Sequence, residues 1–159
     1  MKRAVCSGSF DPVTLGHVDV FERASKMFDE LIICVFRNIE KQGFFSVEER
    51  VSLIKEAVAH LPNVKVMAFS SLITDFMAQQ DAKIIVRGVR SVKDLEYEEN
   101  EAYMIKHLNP EIDTVFLLTR PDLSYVSSSG VREVFRFGGS VQGLVPACVE
   151  QAMKNKKEK

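Results

Sequence analysis

Ala4-Val5-Cys6-Ser7-Gly8-Ser9-Phe10-Asp11-Pro12-Val13-Thr14-Leu15-Gly16-His17 runs from a short apolar segment into a turn and towards a helix start. Val18, Phe21, Ala24 and Phe28 then recur at helical spacing, and Leu31-Ile32-Ile33-Cys34-Val35-Phe36 forms a second apolar run. A short run rich in β-branched residues, a helix-period stretch and another such run make a β-α-β unit. The pattern continues outward. Further runs stand at Val64–Phe69, Ile84-Ile85-Val86 and Val115–Leu118, and Val47, Val51, Ile54 and Val58 mark another amphipathic stretch. Runs that are apolar on successive positions predict parallel strands covered on both faces. The alternation β-α-β-α-β-α-β-α-β-α predicts an α/β chain with right-handed crossovers, built as one open parallel five-stranded sheet with helices on both faces.

Local signals place the helices. Ser46 with Glu49 has the form of a capping box, and Ser91 with Asp94 a weaker version of it. His60-Leu61-Pro62-Asn63 and His107-Leu108-Asn109-Pro110 read as helix ends, and Pro146 suits the first turn of a last helix. The 159 residues are 46% hydrophobic and 27% charged, so a chain of this length buries a core without a disulfide or metal. Residues 1–159 read as a single domain, with 154–159 a flexible basic tail.

Several function classes are excluded on composition. The net charge of −1 argues against a nucleic-acid-coating surface, and no apolar run is long enough to span a bilayer. Met1-Lys2-Arg3-Ala4-Val5-Cys6 meets turn residues too soon for a secretory leader. Cys6, Cys34 and Cys148 are scattered and never spaced as C-x-x-C, so neither a disulfide framework nor a zinc site is indicated. The expected location is the cytoplasm, with no membrane and no nucleic acid as partner.

Ligands in an open α/β sheet bind beyond the carboxyl ends of the strands. After the first run, Gly8 permits close backbone approach, and His17 sits near a helix start whose N–H groups and dipole suit a phosphate. An ordinary turn with one incidental His explains the same residues, and both readings stand at this point. Neither G-x-G-x-x-G nor G-x-x-x-x-G-K-[ST] occurs. Arg37 and Lys41 follow the second run, where Lys41 alone reads as a solvated loop cation. Arg87-Gly88-Val89-Arg90 follows the fourth, and two guanidiniums flanking a Gly make a phosphate clamp. Asp94, Glu96, Glu98, Glu99 and Glu101 form an acidic helix start, mostly a solvated face with one carboxylate available to orient an arginine or a nucleotide hydroxyl. Ser127-Ser128-Ser129 offers three hydroxyls where a cap needs one. No G-x-S-x-G elbow accompanies them, which argues against a serine hydrolase.

Gly8-Ser9-Phe10-Asp11-Pro12 followed by Thr14-x-Gly16-His17 resembles the opening signature of the nucleotidyltransferases related to class I aminoacyl-tRNA synthetases, which have a Rossmann-like fold. Arg87-Gly88-Val89-Arg90, Asp94-Leu95-Glu96-Tyr97-Glu98 and Ser127-Ser128-Ser129-x-x-Arg132 narrow the resemblance to the bacterial phosphopantetheine adenylyltransferases. The resemblance implies reversible adenylyl transfer from ATP to 4′-phosphopantetheine, giving dephospho-coenzyme A and pyrophosphate. It further implies catalytic roles for His17, Lys41 and Arg90, and contact of Ser9, Lys41, Ile73 and Arg87 with phosphopantetheine. ATP would be surrounded by Ser9, Phe10, His17, Gly88, Val89, Arg90 and Glu98, with Leu123, Ser124, Tyr125, Val126, Ser127, Ser128 and Ser129. Also implied are Mg²⁺ with protein ligands unassigned, a homohexamer and inhibition by coenzyme A. Phe36, Phe44, Phe45, Phe135 and Phe137 lie in or beside predicted loops and helix ends, where a monomer would leave several exposed unless the rings fold back into the core. This chain departs from the family's usual pattern at Ser7, Ser9 and Leu123, where Pro, Thr and an aromatic residue are frequent.

Two other readings remain at this level. One is a nucleotidyltransferase acting on nicotinamide or nicotinate mononucleotide, or on glycerol phosphate with CTP. The other is a non-catalytic ATP-binding module, which would have no use for a second phosphate site.

Overall fold

The apolar runs become strands β1 (Arg3–Gly8), β2 (Glu30–Phe36), β3 (Val64–Phe69), β4 (Ile84–Val89) and β5 (Asp113–Leu118) in a computed structural model that describes residues 1–157. Helices α1 (Leu15–Met27), α2 (Val47–Ala57), α3 (Ile73–Gln79), α4 (Val92–Leu108), α5 (Ser128–Arg136) and α6 (Ala147–Lys157) connect and follow them, with a 3₁₀ turn at Pro121–Leu123. The first and fourth strands run longer than their apolar runs because Ser7-Gly8 and Arg87-Gly88-Val89 continue the extended backbone into the ligand-facing end, whereas Asp113 and Thr114 lengthen the fifth at its opposite end. Beyond β5 the chain forms two helices, begun by Ser127 and Pro146. Lys154, Lys156 and Lys157 belong to the last turn of α6, which is helical where a flexible tail was expected; residues 158 and 159 lie outside the described residues.

All five strands are parallel, in the order β3-β2-β1-β4-β5. The chain builds outward from β1 through β2 to β3, then returns to the other side of β1. That reversal places a topological switch point between β1 and β4. β1 pairs with β2 all the way to Gly8, but with β4 only at Ala4 and Val5. The two central strands therefore part at their carboxyl ends, and a cleft opens there.

Side-chain alternation divides the core. Ala4, Cys6, Leu31, Ile33, Val35 and Val86 face Phe21, Ile54 and Met153 of α1, α2 and α6. Val5, Ile32, Cys34 and Ile85 face Phe76 and Met77 of α3, with Ile112 and Ile105. Double-sided burial holds for the three inner strands. The edge strands β3 and β5 are half-buried, and each turns charged or polar residues such as Lys65 and Asp113 to solvent.

Ser46 and Glu49 form a complete capping box, with Glu49 N–H on Ser46 Oγ at 3.1 Å and Ser46 N–H on Glu49 Oε1 at 3.0 Å. At Ser91 only half of a box forms. Ser91 Oγ accepts from Asp94 N–H at 3.2 Å, but the Asp94 carboxylate turns to Arg90, taking its backbone N–H at 3.1 Å and its Nε at 3.0 Å. The start of α4 thus fixes an arginine at the mouth of the cleft.

Candidate active site

A cleft of about 420 Å³ lies over the carboxyl ends of β1 and β4. Ser9, Phe10, His17, Gly88, Arg90 and Glu98 line it, together with Val126, Ser127, Ser128 and Ser129 across from them. A second hollow of about 580 Å³ lies alongside, with walls of Phe36, Phe69, Leu72, Ile73, Tyr97 and Ile105. Ser7, Gly8, Ser9, Arg87 and Glu98 belong to both. A polar chamber and a largely apolar one therefore meet at the end of β1.

His17 is held by a reciprocal cap. Its backbone N–H donates to Thr14 Oγ1 at 3.3 Å, and Thr14 N–H donates to its Nδ1 at 2.9 Å. The Thr14-Leu15-Gly16-His17 spacing is a capping box with His in place of Glu, a signal present in the sequence and easily missed. A backbone N–H can only donate, so Nδ1 accepts and the neutral ring carries its proton on Nε2. Phe10 packs edge-on against the imidazole at 5.0 Å between centroids, and Phe21 stacks on it at 6.4 Å. Burial first, then the Arg90 and Arg87 cations, pull the His17 pKa down to about 4. It stays neutral at physiological pH, a hydrogen-bond donor through Nε2–H. Because the unfolded chain binds this proton more tightly, His17 favours the folded state fully above about pH 6.5 and progressively less as pH falls towards 4. An NMR titration of the free protein should place the His17 midpoint near 4; a midpoint near 6.5 would contradict the half-buried, cation-flanked setting.

Arg87 projects from β4 under both chambers. Its Nε and Nη2 donate to Glu98 Oε2 and Oε1 at 2.7 and 2.8 Å, and Nη1 donates to the Ser7 carbonyl. The bidentate grip raises the Arg87 pKa against the opposing effect of burial. Glu98, expected beside ATP, has both oxygens on Arg87. Its place is to hold that guanidinium, because a carboxylate this buried needs a paired cation. Arg90 also donates Nη1 to the Val126 carbonyl at 3.2 Å, which ties β4 to the serine segment. Ser127 Oγ caps α5 through Gly130 N–H at 3.0 Å, Ser128 Oγ donates to the Pro12 carbonyl at 2.8 Å, and Ser129 Oγ lies 3.3 Å from Ser127 Oγ. The hydroxyls fasten the segment and leave its helix start open to the cleft.

Several expected site residues stand elsewhere. Lys41 lines neither chamber: Asn38 closes a turn on Glu40 and Lys41 that carries its side chain to solvent. Val89 and Leu123 are buried in the fold, Ser124 Oγ donates back to Pro121, and Tyr125 is 72% exposed. None of these four lines the cleft. Ile73 lines the apolar hollow. Two residues carry more than their motif positions suggested. Asp11 is buried beneath the Ser9-Phe10 turn, and Arg132 donates Nη1 to the Asp11 carbonyl at 2.5 Å. Gly8 is closely packed, since a Cβ there would stand 3.0 Å from the tip of the Phe10 ring.

A family profile described as cytidylyltransferase-like matches residues 5–134. A phosphopantetheine adenylyltransferase of Clostridium botulinum is 52% identical over 146 residues, covering 92% of each chain. Another from Shouchella clausii is 50% identical over 154 residues, covering 97% of each. The chain belongs to the phosphopantetheine adenylyltransferase family. A solved Vibrio parahaemolyticus structure, assigned as a nicotinate-nucleotide adenylyltransferase, matches with a TM-score of 0.71 at 18% identity, covering 98% of this chain and 100% of that one. At that identity it shows a common fold, the same Rossmann-like sheet.

Proposed function

We propose that this chain catalyses reversible adenylyl transfer from ATP to 4′-phosphopantetheine, giving dephospho-coenzyme A and pyrophosphate, the penultimate step of coenzyme A synthesis. The observation that carries this reading is the junction of a polar chamber with an apolar one at Ser7–Ser9 and Arg87. A triphosphate suits the first, and a phosphate on a long, weakly polar arm suits the second.

The nucleophile is a phosphate that needs no deprotonation, so positioning and electrostatics carry the catalysis. ATP lies along the cleft, with its α-phosphate near Ser9 and His17. As charge grows on the α-phosphate oxygens, His17 Nε2–H, Arg90 and the helix starts at Thr14 and Ser127 meet it. Arg87, braced by Glu98, draws the acceptor phosphate towards the junction and reduces repulsion between two anions that must approach in line.

Mg²⁺ is proposed as the counter-ion that ATP brings. Among the described residues no group of three His, Cys, Asp or Glu side chains is placed to hold a metal. The cleft's carboxylates are already engaged: Asp11 with the Phe44 and Phe45 amides, Asp94 with Arg90, Glu98 with Arg87. No residue of the chain is therefore assigned to the ion, and no step is routed through it.

Lys41 is proposed to reach the acceptor phosphate from its loop. Lys41→Ala should raise KM for phosphopantetheine roughly 10–100-fold, the weight of one charge-assisted hydrogen bond, with ATP affinity nearly unchanged. Titration calorimetry with each substrate decides, and a loss confined to ATP reverses the assignment.

A homohexamer is the proposed assembly, with coenzyme A as an inhibitor competing for the acceptor chamber and the cytoplasm as its location. The apolar surface that supports an oligomer is not the one the phenylalanines suggested. Phe45 is fully buried, Phe44 packs against both it and Phe135, and Phe36 packs on Phe69 but stays 38% exposed, with Phe137 at 80%. Helix α4 instead buries Glu98 alone and exposes Val92, Tyr97, Tyr103 and Met104. Exposed apolar side chains along one helix support burial between copies of the chain. Sedimentation equilibrium at micromolar protein should report a closed assembly of six chains; a single-chain species retaining activity would refute it.

A further inference from the structure

Beneath the Ser9-Phe10-Asp11 turn lies a buried ion pair that no step above uses. Arg50 of α2 and Asp11 are each 8% exposed, with Arg50 Nε 3.8 Å from Asp11 Oδ1. Arg50 Nη1 donates to the Ser9 carbonyl at 3.1 Å, and its Nε to the Phe45 carbonyl at 2.9 Å. The Asp11 carboxylate accepts Phe44 N–H at 2.7 Å and Phe45 N–H at 2.8 Å. The pair thus ties the turn under the reacting phosphates to the end of the 37–43 loop.

Two further features show that this turn is held against its preference. Phe10 sits at φ +47°, a left-handed conformation that a bulky residue seldom adopts, and guanidiniums grip the carbonyls on both sides of it: Arg50 on Ser9, Arg132 on Asp11. Gly43 leaves the space the pair needs, since a Cβ there would stand 2.6 Å from Asp11 Oδ2 and 2.7 Å from Arg50 Nη2. Burying such a pair is a poor route to stability, because desolvation cancels much of the attraction and apolar replacements often do as well. Fixed geometry is what the arrangement provides.

We propose that Arg50 is a positioning residue for adenylyl transfer: with Asp11 it locks the Ser9-Phe10 turn to the 37–43 loop, setting the spacing between the donor and acceptor phosphates. The inference rests on the adenylyl-transfer reading. The test is steady-state kinetics of Arg50→Lys, which keeps the charge but cannot span both carbonyls, measured well below its melting temperature. kcat should fall roughly 10–100-fold, as expected for misplaced reacting groups, while the ATP dissociation constant stays within about threefold. Asp11→Asn should behave alike, and the double variant should lose little more than the worse single one. A lower Tm with unchanged kcat, or ATP affinity falling as far as kcat, overturns the proposal. Wild-type protein gives a check that needs no variant: the Phe44 and Phe45 amides should exchange with solvent as slowly as those of β1, and fast exchange overturns the strut. Wild-type protein that makes no pyrophosphate refutes the underlying activity, whereas an active wild type with an unaffected Arg50→Lys refutes the strut alone.

Discussion

His17→Ala should lower kcat for adenylyl transfer roughly 10²–10⁴-fold, the range for losing a donor aimed at developing charge, with a much smaller effect on ATP affinity. The same change removes the acceptor for Thr14 N–H, so a stability loss of about 1 kcal/mol accompanies it. His17→Gln separates the two effects. Its amide oxygen can restore the cap, because Gln is a native partner in such boxes, but its donor does not lie where Nε2–H lay. Melting temperature should recover towards wild type while kcat stays at least about tenfold low. Near-wild-type turnover in His17→Ala would remove the residue from the mechanism.

Arg87→Met carries the second large effect. It strips a guanidinium from the junction of the two chambers and strands the Glu98 carboxylate, whose side chain is only 11% exposed. Breaking a buried pair from one side costs about 3–5 kcal/mol, and the 29% exposure of the Arg87 side chain puts this case at about 3. For a chain of this size that is a fall in Tm of roughly 6–12 °C. Arg87→Met combined with Glu98→Leu should regain most of the lost stability and none of the turnover. Calorimetric melting with parallel kinetics checks both halves, and recovery of activity in the double variant would show that Arg87 acts only as a structural partner.

The fold was legible because burial on both faces writes itself into successive positions: Leu31–Phe36 could hardly be anything but an inner strand. Of the edge strands, Val64–Phe69 was readable with its full bounds, whereas Asp113 and Thr114 extend β5 beyond its apolar run. At the site, residues whose positions follow from local backbone were readable in sequence, as His17 after Gly16 and Ser127 at a helix start were. Residues whose roles depend on distant partners were not. The acidic run offered one carboxylate to orient an arginine, but not that it is Glu98 with both oxygens on Arg87 eleven positions earlier, nor does Arg50, inside an amphipathic helix, advertise the Ser9 carbonyl. The phenylalanines misled for a similar reason: loop position suggested exposure, but Phe44, Phe45 and Phe135 close on one another beneath α6, where Lys156 and Lys157 lie over the rings.

The central claim is that two phosphates, one from each chamber, react at the Ser7–Ser9 and Arg87 junction. Purified protein incubated with ATP and 4′-phosphopantetheine, with pyrophosphate and dephospho-coenzyme A measured together, tests it most directly. The account predicts the two products in equal amounts, and none when pantetheine lacking the phosphate replaces the acceptor. Pyrophosphate released without the acceptor, or formed with nicotinate mononucleotide and not with phosphopantetheine, would contradict it.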